Sequence, residues 1–492
     1  LREKRSYFWL PLRRKHAKEN TLRRGKTGPI RVMLLIAVMI FAFCALPISA
    51  RAELNDSLWH GCRYTSGGGR PSGLSELWDM NAESGYVVKG PGDLTISWRK
   101  NVPARMLYLA WRTLPEPFTL TQFNQDGTQI SSIPGETWEL NQLYKISPEA
   151  RSLSITSQTD MDLCSALVYG PNMLPKSYHP WNPTPEKLDY LVIATHPDDD
   201  ILFLGAIVPL LGVSRGLSGT ILYTATRSIR YRCDEALNGA WAMGLRNHPL
   251  FAGFPNLLPK EQYRRGKEFS VDALTAYYVS VLRRYKPELV VTQDENGEYG
   301  HWQHINVSRA VRDAVSLAAD ATYDPASAKE FGTFQVKKLY LHLYPENKLT
   351  LDVYRPLPAL GGRNVMEVAT AAFAEHKSQV KIDHYRVRND GFYRLSDFGL
   401  AFSSVGADTG KNDLMEHIDP SNLSNYVPSA SFATPAPAPT PAGTPMEPEH
   451  TESFANSGDT PDRRVLLVGL TAGAVLAAAI GAYLAIRGRK KR

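Results

Sequence analysis

Short apolar runs alternate with segments of helical periodicity from Leu188 onward, and this alternation limits the possible folds more than any other feature. The predicted strands are residues 190–194, 220–225, 288–292 and 336–343, and the predicted helices are 201–213, 232–245, 271–285 and 304–318. Continuously apolar strands are buried on both faces, so the pattern predicts a mostly parallel, doubly wound α/β sheet. Ligands bind such sheets at the carboxyl ends of the strands.

The preceding region, residues 53–175, has the pattern of an all-β domain. Short runs at 85–89, 94–98 and 106–111 are separated by Gly, Pro, Asn and Asp, which predicts a β-sandwich. Its tryptophans are Trp59, Trp78, Trp98, Trp111 and Trp138. Tryptophan at strand spacing is usually part of a core, but exposed indoles can stack on sugars, so a carbohydrate-binding module is the alternative.

Both ends of the chain place basic residues beside an apolar run. Residues 32–46 are apolar, follow a basic stretch and precede Ala50-Arg51-Ala52, which is typical of a secretory signal peptide. The long basic stretch leaves an uncleaved N-terminal anchor as the alternative. Residues 465–486 carry no charge and precede five basic residues, which predicts a transmembrane helix with a cytoplasmic tail. We therefore expect a single-pass protein of the cell membrane with an extracytoplasmic catalytic domain.

The net charge of +7 does not indicate a nucleic-acid partner. Residues 1–52 carry 12 Lys/Arg and 2 Asp/Glu, and residues 487–492 carry 5 Lys/Arg, whereas residues 53–486 hold 39 bases and 47 acids. The body is mildly acidic, so we expect no nucleic acid to bind. Because an exported protein can form disulfides, a Cys62–Cys164 bridge is expected, with free buried thiols as the alternative.

The expected organisation has six parts. Residues 1–52 are the signal or anchor, 53–175 the β-sandwich, 186–405 a Rossmann-like, mostly parallel α/β domain, 406–464 a Pro-rich linker or stalk, 465–486 the transmembrane helix and 487–492 the tail. The linker has six prolines between 435 and 448, a composition that cannot form a core.

The first strand of the α/β region ends in T-H-P-D-D-D at residues 195–200, and a helix follows. Three adjacent carboxylates repel one another, and a divalent cation is the simplest compensation. A histidine and an aspartate three residues apart can converge on one Zn²⁺. The alternative is an ordinary helix start, where Asp and Pro are both common.

A second string, E-Y-G-H-W-Q-H at residues 298–304, follows the predicted strand 288–292 and opens the next helix. One of its histidines, His301 or His304, is a plausible third ligand, and the spacing does not say which one binds or whether both do. Two surface histidines in a loop are the alternative, which the first string makes less attractive.

Five motifs in order over residues 188–400 resemble the PIG-L/LmbE-like family of zinc-dependent N-deacetylases. T-H-P-D-D-D stands where the family has A/P-H-P-D-D-E, and a helix with Arg232 and Glu235 loosely fits its R-x-x-E helix. G-F-P-N at 253–256 stands for the family's G-F-P-D, Y-G-H-W-Q-H at 299–304 for Y-G-H-x-x-H, and H-K-S-Q at 376–379 for H-x-S-Q.

The resemblance implies a set of metal ligands. His196, Asp199 and His304 would bind Zn²⁺ and leave one position open for water, as a catalytic zinc site requires. The metal would lower the pKa of that water and polarise the amide carbonyl of the substrate.

The resemblance also implies catalytic and binding roles. Asp198 would be the general base, zinc and His301 would stabilise the tetrahedral oxyanion, and His301 or protonated Asp198 would protonate the leaving amine. Tyr299 would lie near the oxyanion as a further catalytic residue. Arg232 and Asn256 are candidate substrate contacts, although Asn256 replaces an aspartate of the family pattern, so the substrate itself is open.

The sequence as a whole thus predicts a membrane-anchored, extracytoplasmic zinc-dependent N-deacetylase. Its expected partner is an acetylated amino-sugar glycoconjugate of the N-acetylglucosamine type or a cell-envelope glycan. The alternatives are a zinc amidase acting on another amide and a catalytically inactive surface protein that binds glycans.

Overall fold

A computed structural model describes residues 56–67, 73–79, 81–171, 173–175, 178–258, 261 and 265–424. The predicted signal, transmembrane helix and tail, and all of the predicted linker beyond residue 424, lie outside these residues.

The N-terminal region is built from nine strands: β1 (Cys62–Ser66), β2 (Tyr86–Val88), β3 (Gly92–Trp98), β4 (Met106–Trp111), β5 (Phe118–Phe123), β6 (Gln129–Pro134), β7 (Asn141–Lys145), β8 (Ser152–Ser157) and β9 (Met161–Tyr169). They form two antiparallel sheets, ordered β1-β3-β8-β5-β6 and β2-β9-β4-β7. Alternate residues of β3, β5 and β8 are buried, and they join residues of β4 and β9 in one apolar core. The predicted β-rich region is confirmed.

The tryptophans of this region divide into two groups. Trp98 and Trp111 are buried in the core between the sheets. Trp59 and Trp78 are half-buried and stack on each other with ring centroids 5.5 Å apart, and Trp138 lies edge-on to His248 of the following region. The indoles therefore find protein partners, while sugar binding by this region stays a prediction.

The expected disulfide is wrong, because Cys62 and Cys164 are both free thiols. Cys62 packs at the margin of the core between the sheets, whereas Cys164 belongs to a separate apolar cluster with Tyr108 and Leu167. Burial raises the pKa of Cys62 to about 12 and that of Cys164 to about 11, so neither is a reactive thiolate near neutral pH.

The second region is a seven-stranded sheet with helices. Its strands are β10 (Tyr190–Ala194), β11 (Gly219–Arg227), β12 (Leu250–Pro255), β13 (Leu289–Thr292), β14 (Lys338–His342), β15 (Lys348–Thr350) and β16 (Asp397–Ser403). Its α-helices are α1 (Asp199–Leu202), α2 (Arg230–Met243), α3 (Val271–Tyr285), α4 (Trp302–Leu317), α5 (Pro325–Phe331) and α6 (Val365–Phe373). The predicted mixed α/β class is confirmed.

The strand order β12-β11-β10-β13-β14-β16-β15 explains why the centre of this sheet is apolar. The first five strands in that order are parallel, whereas β16 runs antiparallel to β14 and β15 runs antiparallel to β16. Every residue of β10 and of β13 is buried, since separate apolar clusters cover the two faces of the sheet.

One predicted helix differs from the structure. The sequence predicts a single helix over residues 201–213, but α1 ends at Leu202 and a π-helical turn, Val208–Val213, comes later in the chain. The sequence does not predict strand β12, because L-F-A-G-F-P contains glycine and ends in proline, which are both uncommon within strands. In the structure this glycine, Gly253, has a φ of +72°.

The strand order also locates the site. The chain leaves β10 towards β11 on one side, while β13 lies on the other side, so a crevice opens where the two connections diverge. The string T-H-P-D-D-D follows β10, and E-Y-G-H-W-Q-H follows β13. Both candidate motifs therefore come to the same edge of the sheet.

The β-rich region packs against α2 through buried polar groups. Arg230, 2% exposed, donates from Nε to the carbonyl of Trp111 (2.6 Å) and from Nη2 to Oδ1 of Asn141 (2.7 Å). Its Nη1 lies 2.6 Å from Asp234, whose carboxylate also accepts the Asn141 amide at 2.8 Å. The helix that carries Arg232 thus begins on the surface of the β-rich region.

The predicted localisation, a single-pass protein with an extracytoplasmic catalytic domain, requires correction. Among residues 56–424 as described, no helix is both long and apolar enough to cross a membrane. The longest, α4, has 16 residues and would reach only about 24 Å, against about 30 Å of hydrocarbon. The segments on which the prediction rests, 32–46 and 465–486, lie outside the described residues.

Candidate metal centre and active site

Three side-chain atoms converge at the carboxyl ends of β10 and β13. Nδ1 of His196 lies 3.1 Å from Nε2 of His304 and 3.1 Å from Oδ2 of Asp199, and the last two atoms are 3.3 Å apart. All three residues are buried. A tetrahedral zinc ion with bonds of about 2.0–2.1 Å places its ligand atoms roughly 3.3 Å apart, which matches this spacing.

Hydrogen bonds on the far side of each ring determine which nitrogen faces the cluster. Nε2 of His196 is 3.2 Å from Oε1 of Gln303, an acceptor, and Nδ1 of His304 is 2.7 Å from Oε2 of Glu298. Each of these nitrogens therefore carries the hydrogen, and the opposite nitrogen presents a lone pair. A metal cation bound by all three atoms would offset the repulsion of two lone pairs and a carboxylate oxygen that face one another at about 3 Å, so the donor set fits a metal.

Glu298 is the principal support of His304. It is fully buried, and its carboxylate accepts from Nδ1 of His304, from Nδ1 of His342 at 2.8 Å and from the backbone N–H of Asp294 at 3.1 Å. Burial opposes its charge, but these donors outweigh burial and lower the pKa of Glu298 to about 2. A carboxylate behind a histidine raises the basicity of that imidazole as a ligand.

Gln303 supports His196 in the same way. Its Oε1 accepts the backbone N–H of Leu257 at 3.2 Å, and its Nε2 donates to the carbonyl of Pro255 at 3.0 Å. These two contacts orient the amide so that its oxygen faces the His196 ring. The residues on either side of Asn256 thus reach the cluster through Gln303, although no hydrogen bond of the described residues joins the Asn256 side chain to it.

The three consecutive aspartates have three different surroundings. Asp199 faces the two histidines, and although burial opposes its charge, they hold its pKa well below the usual range. Asp198 is bound by Arg232, whose Nη2 lies 2.6 Å from Oδ1 of Asp198, while burial raises the pKa of Asp198 to about 7. Asp200 points towards Tyr223, and burial raises its pKa to about 8.

The backbone at Asp198 is strained. Its φ of +142° is rare for a residue with a side chain, and it stands at the start of α1, where its carbonyl accepts from the N–H groups of Ile201 (3.0 Å) and Leu202 (2.9 Å). Strain of this kind persists where the surrounding structure imposes it, often at functional sites. The same guanidinium nitrogen of Arg232 that binds Asp198 also donates to the carbonyl of Pro197 at 2.7 Å. Arg232 therefore contacts the Pro197–Asp198 turn.

His301 and Tyr299 also lie next to the cluster. The ring of His301 lies 4.9 Å from that of His196 and 4.7 Å from that of His304, measured between centroids. Burial, reinforced by the two other histidines, lowers the pKa of His301 to about 3, so it is neutral near pH 7. Tyr299 is 48% exposed, and its ring lies 5.7 Å from that of His304.

Sequence reasoning missed two supporting residues, Glu298 and Gln303. Both lie inside the second candidate motif, but the sequence gives no partner for either of them. A carboxylate six residues before a ligand histidine is a signal that could have indicated a supporting role. The H-K-S-Q motif at 376–379 is held against α2, because Glu235 on that helix accepts from the backbone N–H (2.7 Å) and hydroxyl (2.6 Å) of Ser378.

Two histidines and one aspartate meet where the strand order of an α/β domain reverses, an arrangement typical of a metal-dependent enzyme. Residues 191–315 match the model of the PIG-L family, described as GlcNAc-PI de-N-acetylase. These residues therefore form a PIG-L domain, and the expected resemblance is confirmed for this part of the chain.

Two curated proteins and one solved structure are similar to parts of this chain. The 1D-myo-inositol 2-acetamido-2-deoxy-alpha-D-glucopyranoside deacetylase 1 of Catenulispora acidiphila is 31% identical over 191 residues, which cover 32% of this chain and 57% of the relative. The corresponding deacetylase of Geodermatophilus obscurus is 28% identical over 198 residues, or 35% and 66% of the two chains. The chain thus spans less than two thirds of either relative. The N,N'-diacetylchitobiose deacetylase from Pyrococcus horikoshii has 16% sequence identity and a TM-score of 0.31, and the match covers 42% of this chain and 76% of that one.

Proposed function

We propose that this protein is a metal-dependent N-deacetylase that hydrolyses the acetamide of an N-acetylglucosamine-type conjugate to acetate and a free amine. The observation that carries the proposal is the convergence of two imidazole lone pairs and one carboxylate oxygen within 3.3 Å. The PIG-L domain and the names of the two relatives support the reaction and the class of sugar.

The proposed metal is zinc, held by Nδ1 of His196, Oδ2 of Asp199 and Nε2 of His304. When bound, zinc supplies a Lewis acid for the amide carbonyl and lowers the pKa of a coordinated water. Glu298 and Gln303 keep the two imidazoles in the tautomers that the metal requires.

Asp198 is the proposed proton carrier. Because Arg232 occupies Oδ1 of Asp198, Oδ2 is the oxygen that can accept the proton from the attacking water and later pass it to the leaving nitrogen. Arg232 keeps the carboxylate in place beside the cluster, which makes it a positioning residue in this proposal. Direct contact of Arg232 or Asn256 with the substrate stays a prediction.

His301 is proposed to stabilise the oxyanion as a neutral donor. Its Nδ1 has no hydrogen-bond partner among the described residues, and its ring stands beside both ligand histidines. An imidazole N–H directed at the developing charge needs no reorganisation during the reaction. Tyr299, at the exposed side of the same cluster, borders the space from which the substrate enters.

The test is acetate release by the purified full chain from N-acetylglucosamine and its glycosides, before and after removal of metal with a chelator. We expect one zinc per chain, release that stops with the chelator, and release that returns with zinc. The Asp198→Asn variant should keep zinc and lose acetate release, whereas the control Asp313→Asn, on an exposed position of α4, should keep both. Absence of stoichiometric zinc together with absence of release would refute the proposal.

A further inference from the structure

A cavity of about 270 Å³ lies beside the metal cluster. Two of its lining residues, Phe203 and Tyr299, also contact the cluster, since their rings lie 6.1 and 5.7 Å from that of His304. The volume is close to the lower limit of about 300 Å³ for small-molecule pockets, which is enough for a group the size of a sugar or sugar phosphate. An acetyl group alone needs far less space.

One segment of the chain supplies the basic side of this cavity. His384, Arg386 and Arg388 line it, and no Asp or Glu is among the lining residues. The acids of the same segment, Asp383 and Asp390, are exposed and stand outside the lining. The cavity therefore presents positive charge without an internal counter-charge.

The two arginines are available for a ligand. Within the described part of the chain, neither Arg386 nor Arg388 forms an ion pair with a carboxylate, and Nη2 of Arg388 donates only to the backbone carbonyl of His384, at 2.8 Å. In contrast, Arg394 nearby is paired with Asp397 at 2.6 Å. Guanidinium groups that are not neutralised and face a cavity bind phosphate or carboxylate through charge-assisted hydrogen bonds.

Aromatic rings form the other side of the cavity. The rings of Tyr299 and Tyr393 meet edge to face at 6.3 Å, Phe203 lies 6.3 Å from Tyr393, and Tyr385 lines the same space. Such surfaces pack against the apolar faces of sugar or cyclitol rings.

We propose that this cavity binds the part of the substrate that stays attached to the amine product, and that this part carries an oxyanion, either a phosphate or a carboxylate. The inference deepens the proposed deacetylase function and rests on it. Tyrosines would hold the ring and Arg386 and Arg388 the anion, so that the acetamide reaches the metal cluster through contacts made outside it.

The experiment compares three substrates with the full chain. They are methyl N-acetylglucosaminide, which is neutral, N-acetylglucosamine 1-phosphate and carboxymethyl N-acetylglucosaminide. We expect kcat/KM to be at least about 10-fold higher for a charged substrate, because each charge-assisted contact is worth about that factor. The Arg386→Gln/Arg388→Gln variant should lose this charged-to-neutral ratio through KM, and the matched control Lys381→Gln, an exposed basic residue of the same segment outside the lining, should keep it.

A binding measurement separates this inference from the deacetylase proposal. Calorimetry with glucosamine 1-phosphate and methyl glucosaminide tests the cavity without any turnover. Preference for the phosphate in binding, lost in the double variant, supports the anion site even where no acetate is released, in which case only the deacetylase proposal fails. Equal binding and equal turnover of charged and neutral compounds would overturn the proposed anion site. A preference for the charged compound that survives the double substitution would overturn it as well. Which charged substrate is preferred identifies the anion as phosphate or carboxylate.

Discussion

Replacing Glu298 with glutamine should weaken zinc binding without touching a metal ligand. The carboxylate accepts from two imidazoles at 2.7 and 2.8 Å, in a position with no solvent exposure. Glutamine has the same shape but only one acceptor oxygen. Its amide nitrogen must therefore face an N–H of His304, an N–H of His342 or the backbone N–H of Asp294.

The size of the effect can be derived from these contacts. Loss of one hydrogen bond to a charged group costs about 1.5–3 kcal/mol. Replacement of such a supporting carboxylate typically weakens metal binding by about 10–100-fold, equivalent to about 1.4–2.8 kcal/mol. The two ranges agree because both describe the loss of a hydrogen bond to the buried Glu298 carboxylate, which holds the imidazole of His304.

The assay is a zinc competition titration of the purified full chain against a chromogenic chelator. Circular dichroism of the metal-free variant shows whether the fold is retained. The matched control is Glu295→Gln, three residues earlier, where the carboxylate is partly exposed and pairs with Arg312. We expect the control to bind zinc like the wild type. A dissociation constant of folded Glu298→Gln within about twofold of the wild type would show that this carboxylate does not support the ligand.

Three further changes test the packing. Burial raises the pKa of Glu139 from 4.5 to about 8, so the folded state keeps this proton up to a higher pH than the unfolded state does. The resulting contribution to the free energy of unfolding is fully present below about pH 4.5 and is lost as the pH rises to about 8, by at most about 5 kcal/mol. In urea titrations, Glu139→Gln should lose less unfolding free energy between pH 5 and pH 9 than the wild type does, and the exposed control Glu149→Gln should lose as much as the wild type. An equal loss in Glu139→Gln would contradict the raised pKa of Glu139. Arg230→Met, which leaves buried partners unpaired, should cost about 3–5 kcal/mol and lower the Tm in calorimetry, and an unchanged Tm would argue against the contact between the regions. Leu153→Ala, at a fully buried position between the two β-sheets, should cost about 2–5 kcal/mol in chemical denaturation, and a loss below about 1 kcal/mol would show a loosely packed core.

The central strands and helices are predictable because their signal is local. The predicted strand 190–194 coincides with β10, and the predicted helix 271–285 coincides with α3. Each shows its periodicity within its own sequence, and α3 also begins at Ser270, whose side chain accepts from the backbone N–H of Ala273. Strand β12 escapes prediction because its stability comes from pairing with β11 and not from its own composition.

The two candidate metal-binding strings are predictable for a similar reason. His196 and Asp199 follow one parallel strand, and the string that contains His301 and His304 follows another, so both strings lie at the carboxyl edge of the sheet. The choice of His304 over His301 as a ligand is implied by the family resemblance and not by the spacing. The roles of His196, Asp199 and His304 remain a proposal, whereas their convergence is an observation of the structure.

The amino-acid sequence is enough to establish the class of domain and the residue types that meet at the edge of its sheet. Which atoms face each other depends on the tertiary structure: Glu298 stands behind His304, Gln303 stands behind His196, and Arg232 contacts Asp198. The expected disulfide was wrong for the same reason. An oxidising compartment would allow a disulfide, but the sequence does not show that Cys62 and Cys164 pack in different apolar clusters. Periodicity is a property of neighbours along the chain, while hydrogen bonds between distant residues depend on packing that no short segment encodes.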